Sequence, residues 1–140
     1  MKRLAIACAG LAGLVLLAPA RADDLTGANR LLCSAETASA CCEDGQCAGG
    51  SAEELNVPQF IEVDLTAKRV STTKASGNYR SSTPDVKREN GHIVLQGMER
   101  GRAYSILIDE KSGTLSAAVA TSFGCGVTVF GSCTPLPASK

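Results

Sequence analysis

Apolar and polar residues alternate in several short runs, and a period of two predicts β-strands. Over 60–66, Ile61, Val63 and Leu65 alternate with Glu62, Asp64 and Thr66. Val70 centres a second run over 68–73, with Thr66-Ala67 as the hairpin between them. Over 92–98, Ile93 and Leu95 take one face, Val94 and Gln96 the other. Tyr104, Ile106 and Ile108 share a face over 102–109. Glu110-Lys111-Ser112-Gly113 reads as a turn, after which Leu115, Ala117 and Val119 continue the pattern. Val127, Val129, Gly131 and Cys133 share a face in the last strand, and Cys33 shares one with Leu31 and Ala35 in the first. Helix signals are poor. Only Ser51-Ala52-Glu53-Glu54-Leu55 resembles a capped start, and Pro58 soon stops it. The polar stretch 74–85 reads as a long loop. The pattern predicts an all-β fold, a small antiparallel barrel or sandwich of six to eight strands connected mostly in sequence order. Neighbouring hairpins are cheap to connect, and closing the sheet removes its exposed edges.

The N-terminus breaks the alternation. Lys2 and Arg3 precede an uncharged run from Leu4 to Ala18 with Leu14-Val15-Leu16-Leu17 at its centre. Ala20-Arg21-Ala22 then offers small residues for cleavage before Asp23. The run is about 15 residues, short of the roughly 20 that span a bilayer. Cys8 lies too near the start to close a lipoprotein signal. Residues 1–22 are therefore expected to be a cleaved signal peptide. Residues 23–140 follow as a single β-domain with a Cys-rich N-terminal segment, periplasmic or secreted, with no membrane anchor after cleavage.

Cleavage changes the charge. Lys2, Arg3 and Arg21 leave, so 11 bases face 14 acids and the net charge is −3. Export and net negative charge both speak against a nucleic-acid partner. The charge is uneven: 23–66 carries nine acids and one base, 67–102 eight bases and three acids. Lys74, Arg80, Lys87 and Arg88 would make an anion-binding face, or the two segments neutralise each other on packing; the second is the plainer expectation. With five aromatics and no Trp, the core is aliphatic and light. Such a domain benefits from covalent staples.

Six cysteines remain in the mature chain: Cys33, Cys41, Cys42, Cys47, Cys125 and Cys133. In an exported protein they point first to disulfides. Cys33 and Cys133 sit in the first and last strands, where a bond would close a loop of about 100 residues. Cys41 or Cys42 would close the short Glu43-Asp44-Gly45-Gln46 turn through Cys47, leaving the other for Cys125 between Gly124 and Gly126. The competing soft-metal site would use Cys41, Cys42 and Cys47 with Met98 or His92. It lacks the paired Cys-x2-Cys elements of zinc sites, and a thiol oxidoreductase would need Cys-x-x-Cys heading a helix. No cofactor is implied.

Catalytic signals are sparse. A Ser-His-acid or Cys-His hydrolase would have to use His92, the single histidine, which follows the turn Asn90-Gly91 without a Gly-x-Ser-x-Gly elbow. Glu62 and Asp64 share a strand face, which is ordinary for the polar side of a half-buried strand and not a glycosidase pair by itself. The loop 74–85 is more distinctive, since it carries Tyr79 and Arg80, two residue types enriched at binding hot spots. They are the candidate partner contacts. The plainer alternative is that Tyr79 folds back to cover the light core.

Three stretches carry a resemblance: Leu55-Asn56-Val57-Pro58-Gln59-Phe60-Ile61-Glu62-Val63-Asp64-Leu65 with Ser71-Thr72-Thr73-Lys74-Ala75-Ser76-Gly77; Val94-Leu95-Gln96-Gly97-Met98-Glu99-Arg100-Gly101-Arg102-Ala103-Tyr104-Ser105; and Val129-Phe130-Gly131-Ser132-Cys133-Thr134-Pro135. Over roughly 32–135 the chain resembles a group of small exported proteobacterial proteins of unknown function. The resemblance implies an envelope protein and assigns no catalytic residue. In plan alone, a small exported β-domain tied first strand to last is similar to the membrane-bound C-type lysozyme inhibitors, without their lipobox. The expectation is a non-catalytic binding or structural module whose partner is a protein or envelope component. An inhibitor of a cell-wall hydrolase is the first alternative, an enzyme the second.

Overall fold

A computed structural model describes residues 23–74 and 79–137. Among them are ten strands: β1 (Arg30–Cys42), β2 (Cys47–Ser51), β3 (Phe60–Asp64), β4 (Arg69–Thr72), β5 (Ser81–Ser82), β6 (Asp85–Glu89), β7 (His92–Glu99), β8 (Arg102–Asp109), β9 (Thr114–Thr121) and β10 (Cys125–Pro135). They form one antiparallel sheet in the order β5-β4-β3-β1-β10-β9-β8-β7-β6, with β2 pairing β1 off this path. The sheet curls into a half-barrel, and no described residue lies in an α-helix. The all-β class is as expected, but ten strands exceed the six to eight predicted. The surplus has a physical reason. β2 (Cys-Ala-Gly-Gly-Ser) has almost no buried residue and hence no alternation, while β5 is two serines inside the stretch read as loop. The expected signal peptide, 1–22, lies outside the described residues.

β1 organises the sheet. Its whole length pairs with β10, its first half with β3 and its second half with β2. The register shifts between Ala35 and Thr37, leaving Glu36 as a bulge. Side-chain parity therefore inverts along the strand: Leu31 and Cys33 are buried before the bulge, Ala38 after it. Two-residue turns at Asn90-Gly91 and Arg100-Gly101 close the β6–β7 and β7–β8 hairpins. All four residues have positive φ (52° and 76°, 49° and 75°), as the tight turns that match strand twist require. At 51–54 the backbone N–H and hydroxyl of Ser51 donate to Glu54 Oε2 at 2.8 and 3.0 Å, and Glu54 N–H donates back to Ser51 Oγ at 3.3 Å. This is a reciprocal helix cap. Asn56 then turns left-handed (φ 54°) and Pro58 follows, so a turn forms where a short helix was expected.

Inward-facing Leu31, Val63, Ile93, Leu95, Ile106, Ile108 and Leu115 pack with Cys33 and Cys133 into one core. Leu25 caps one end of it, fully buried, its N–H donating to Glu110 O at 2.7 Å. Arg88 holds this cap. It pairs with the buried Glu110 and donates to the carbonyl oxygens of Ala28 (3.0 Å) and Leu25 (3.4 Å). A carboxylate this buried is tolerable because it is paired. The arrangement removes Arg88 from the anion-binding face considered above, and strand alternation turns Lys87 to the opposite side of β6. Among the described residues no ion pair joins the acidic 23–66 segment to the basic 67–102 segment; Arg30 pairs with Glu62 inside the first.

All three disulfides leave from β1: Cys33–Cys133, Cys41–Cys47 and Cys42–Cys125. Each joins residues directly opposite in the ladder. Cys133 N–H donates to Gly113 O and Cys42 N–H to Gln46 O, so both β1–β10 bonds bridge non-hydrogen-bonded pairs, where facing side chains come closest.

Candidate functional site

Away from the Leu25 end, the inward register changes from Leu and Ile to Ala and Val. Ala117 and Val119 on β9 and Val127 and Val129 on β10 have too little volume to fill the interior, and a cavity of about 450 Å³ results. Most of its lining residues, Ala117, Val119 and Val127 among them, are only half-buried, so the space is an open cleft on the concave face rather than a sealed void. Ile106 and Leu115 line it where the core begins, Ile61 and Val70 on the facing strands, and Leu55, Val57 and Pro58 on the β2–β3 connection.

Few polar groups enter this space. The Tyr104 and Ser82 hydroxyls hydrogen-bond at 2.6 Å, joining β8 to β5 where β5 comes against β7. Gly97, opposite Tyr104 on β7, makes room for that clasp: a Cβ there would lie 2.6 Å from the hydroxyl. Arg80 is placed by a double contact with Thr72, its N–H donating to Oγ1 at 2.8 Å and its carbonyl accepting from Thr72 N–H at 2.9 Å. Arg80, Arg102 and Glu99 supply the charge of the lining. Glu99 pairs with Arg100 on the turn at 3.7 Å. Neither the Arg80 nor the Arg102 guanidinium has an ion-pair or hydrogen-bond partner among the described residues.

The residues singled out in the sequence are placed apart. Arg80 lines the cavity, whereas Tyr79 is 59% exposed and does not cover the core. Tyr79→Ala is accordingly expected to change stability by no more than about 0.5 kcal/mol, read as an unmoved thermal melt. His92 lies off the cavity, its Nε2 3.6 Å from Asp109 Oδ2. Asp109 accepts from Ser112 N–H at 2.7 Å and Ser112 Oγ at 2.8 Å. Those bonds hold its carboxyl below the usual range, with a smaller contribution from His92. The acid thus stands between Ser112 and His92, whereas a hydrolytic relay needs the imidazole between serine and acid. Glu62 pairs with Arg30 at 3.8 Å, and Asp64 Oδ1 accepts from Ala67 N–H at 2.8 Å; both acids are engaged in the strand and turn that carry them. The sulfurs considered for a soft metal, on Cys41, Cys42 and Cys47, are consumed in disulfides.

Arg102, Tyr104 and Ser82 were not among the sequence candidates. The signal for Arg102 was available: it shares strand parity with Tyr104, Ile106 and Ile108, so a charge falls on a core-facing register. Ser82 carried none, since its strand is two residues long. In comparison with known proteins, no family model and no curated protein matches the chain.

Proposed function

We propose that this chain is an exported, non-catalytic binding module of the bacterial envelope that takes a small apolar ligand into the half-barrel. The cavity carries the proposal. Its volume falls within the roughly 300–1,000 Å³ of small-molecule sites, and its lining is mostly apolar with a few convergent polar groups. Three disulfides are consistent with an oxidising compartment, and no described helix is long and apolar enough to cross a membrane. Calorimetric titration with decanol, a neutral apolar probe, tests the reading. Val119 lies between Tyr104 and Val127 in the sheet, so Val119→Trp should fill the cavity and weaken decanol binding at least about tenfold, with the circular-dichroism spectrum kept. A wild-type protein that binds no apolar probe ends this reading.

An inhibitor of a cell-wall hydrolase is the second reading, supported by the exposed Tyr79 next to Arg80. Inhibition of a muramidase by the wild type, lost in Tyr79→Ala at unchanged melting temperature, is its expected signature.

A further inference from the structure

We infer that the ligand of the cavity is a single-chain amphiphile with an anionic head, carboxylate or phosphate, held by Arg80 and Arg102 while its chain runs toward Ile106 and Leu115. This rests on the binding reading above and adds the chemistry of the head.

Two arginines from unrelated parts of the chain line one largely apolar cavity, Arg102 from the start of β8 and Arg80 from beside β5. Both arginines are half-buried beside an apolar lining, where an anion is attracted more strongly than in open water. Among the described residues neither guanidinium has an anionic partner. Glu99 is the one lining acid, directly opposite Arg102 in the β7–β8 register, yet its carboxylate pairs with Arg100. The lining is left with a net positive charge. Guanidinium is also the side chain whose planar fork matches a carboxylate or phosphate. The strand sets the length of the ligand. From Arg102 to Ile106 on the same face is four residues, about 13 Å at about 3.3 Å per residue, a span suited to a medium-length acyl chain.

The test is calorimetric titration of the wild type with decanoate, decyl phosphate, decanol and decylammonium near neutral pH. Decanoate and decyl phosphate should each bind at least about tenfold tighter than decanol. Arg80→Met and Arg102→Met keep the aliphatic stems, and each should bring decanoate to within a few-fold of decanol measured on the same variant. Arg102→Glu should invert the preference, so that decylammonium binds better than decanoate, an effect that loss of fold cannot produce. Phosphatidylglycerol vesicles distinguish the source of the head. Co-sedimentation abolished by Arg102→Met identifies a membrane lipid, and decanoate capture without co-sedimentation identifies a free acid; both support the head chemistry. Equal binding of decanoate and decanol by the wild type, or selectivity untouched by the arginine variants, overturns the anionic class and leaves the cavity reading standing. If the wild type binds none of the probes, both fall.

Discussion

Cutting both β1–β10 disulfides is expected to leave the protein unfolded. Cys33–Cys133 and Cys42–Cys125 span 100 and 83 residues and are nested. Loop-closure entropy assigns about 4.7 kcal/mol to a ring of 100 residues. Once the outer bond exists, the inner one closes only the ring between them, about 17 residues round and worth about 3 kcal/mol. The nesting makes the effects unequal. Removing either bond as a Cys→Ser pair should cost about 3 kcal/mol, because the other still holds the strands together. Removing both should cost about 8 kcal/mol, comparable with the whole stability of a domain, about 5–15 kcal/mol. Cys41–Cys47 closes six residues; its loss should cost about 2 kcal/mol by the same relation and loosen β2 alone. Urea denaturation of the three pair variants and the quadruple variant measures this. A quadruple variant that loses no more than the sum of the two β1–β10 pairs would show that the rings are not coupled as described.

The reason for such dependence lies in the topology. β1–β10 is the sheet's contact between the two ends of the domain; β1 and β3 are separated by the β2 segment, and the remaining neighbours on the path are hairpins or joined by a short connection. A non-local pairing bears the loop-closure cost before its contacts form. The bonds lie across that one seam, with the third fixing β2 to the same strand.

Local patterning made most of the sheet legible. Wherever a strand is half buried, as in β7, β8 and β9, alternation identifies the inward face, and Ile93, Leu95, Ile106, Ile108 and Leu115 are buried as the period requires. It failed where no face is buried, in β2, and where the strand is too short to have a period, in β5. The choice between Cys41 and Cys42 was not legible at all. Counting by twos from Cys33 places Cys41 inward; the bulge at Glu36 reverses that and brings Cys42 to Cys125. A single inserted residue, with no composition of its own to mark it, decided the pairing. The site was legible in half. Arg80 was singled out for its residue type in a loop, but the cavity it lines is made by what is absent, the missing volume of Ala117, Val119 and Val127, and the lack of aromatics recorded that shortage without locating it.

Gly131→Ala is expected to be among the most damaging single substitutions in the chain. Gly131 lies opposite Ala35, immediately before the bulge. Its φ is not in the left-handed region, so an alanine could adopt the backbone angles; what it lacks is room. A Cβ on Gly131 would overlap the carbonyl oxygen of Ser34 and approach its carbon to 3.0 Å and the Ala35 Cα to 3.2 Å. These are backbone atoms, so no rotamer change relieves the clash. β1 cannot shift away either, because Cys33–Cys133 ties it to β10 two residues from the site. The cost should reach about 3 kcal/mol or more, the upper part of the range for overpacking. Gly126→Ala on the same strand is the control. There a Cβ would meet nothing closer than the Val119 carbonyl oxygen at 3.9 Å, and stability should change by no more than about 0.5 kcal/mol. Urea midpoints of the two variants separate the explanations. If Gly131→Ala alone is lost, the close approach at the bulge requires glycine; equal midpoints would mean that β1 can yield at Ser34 despite its disulfides.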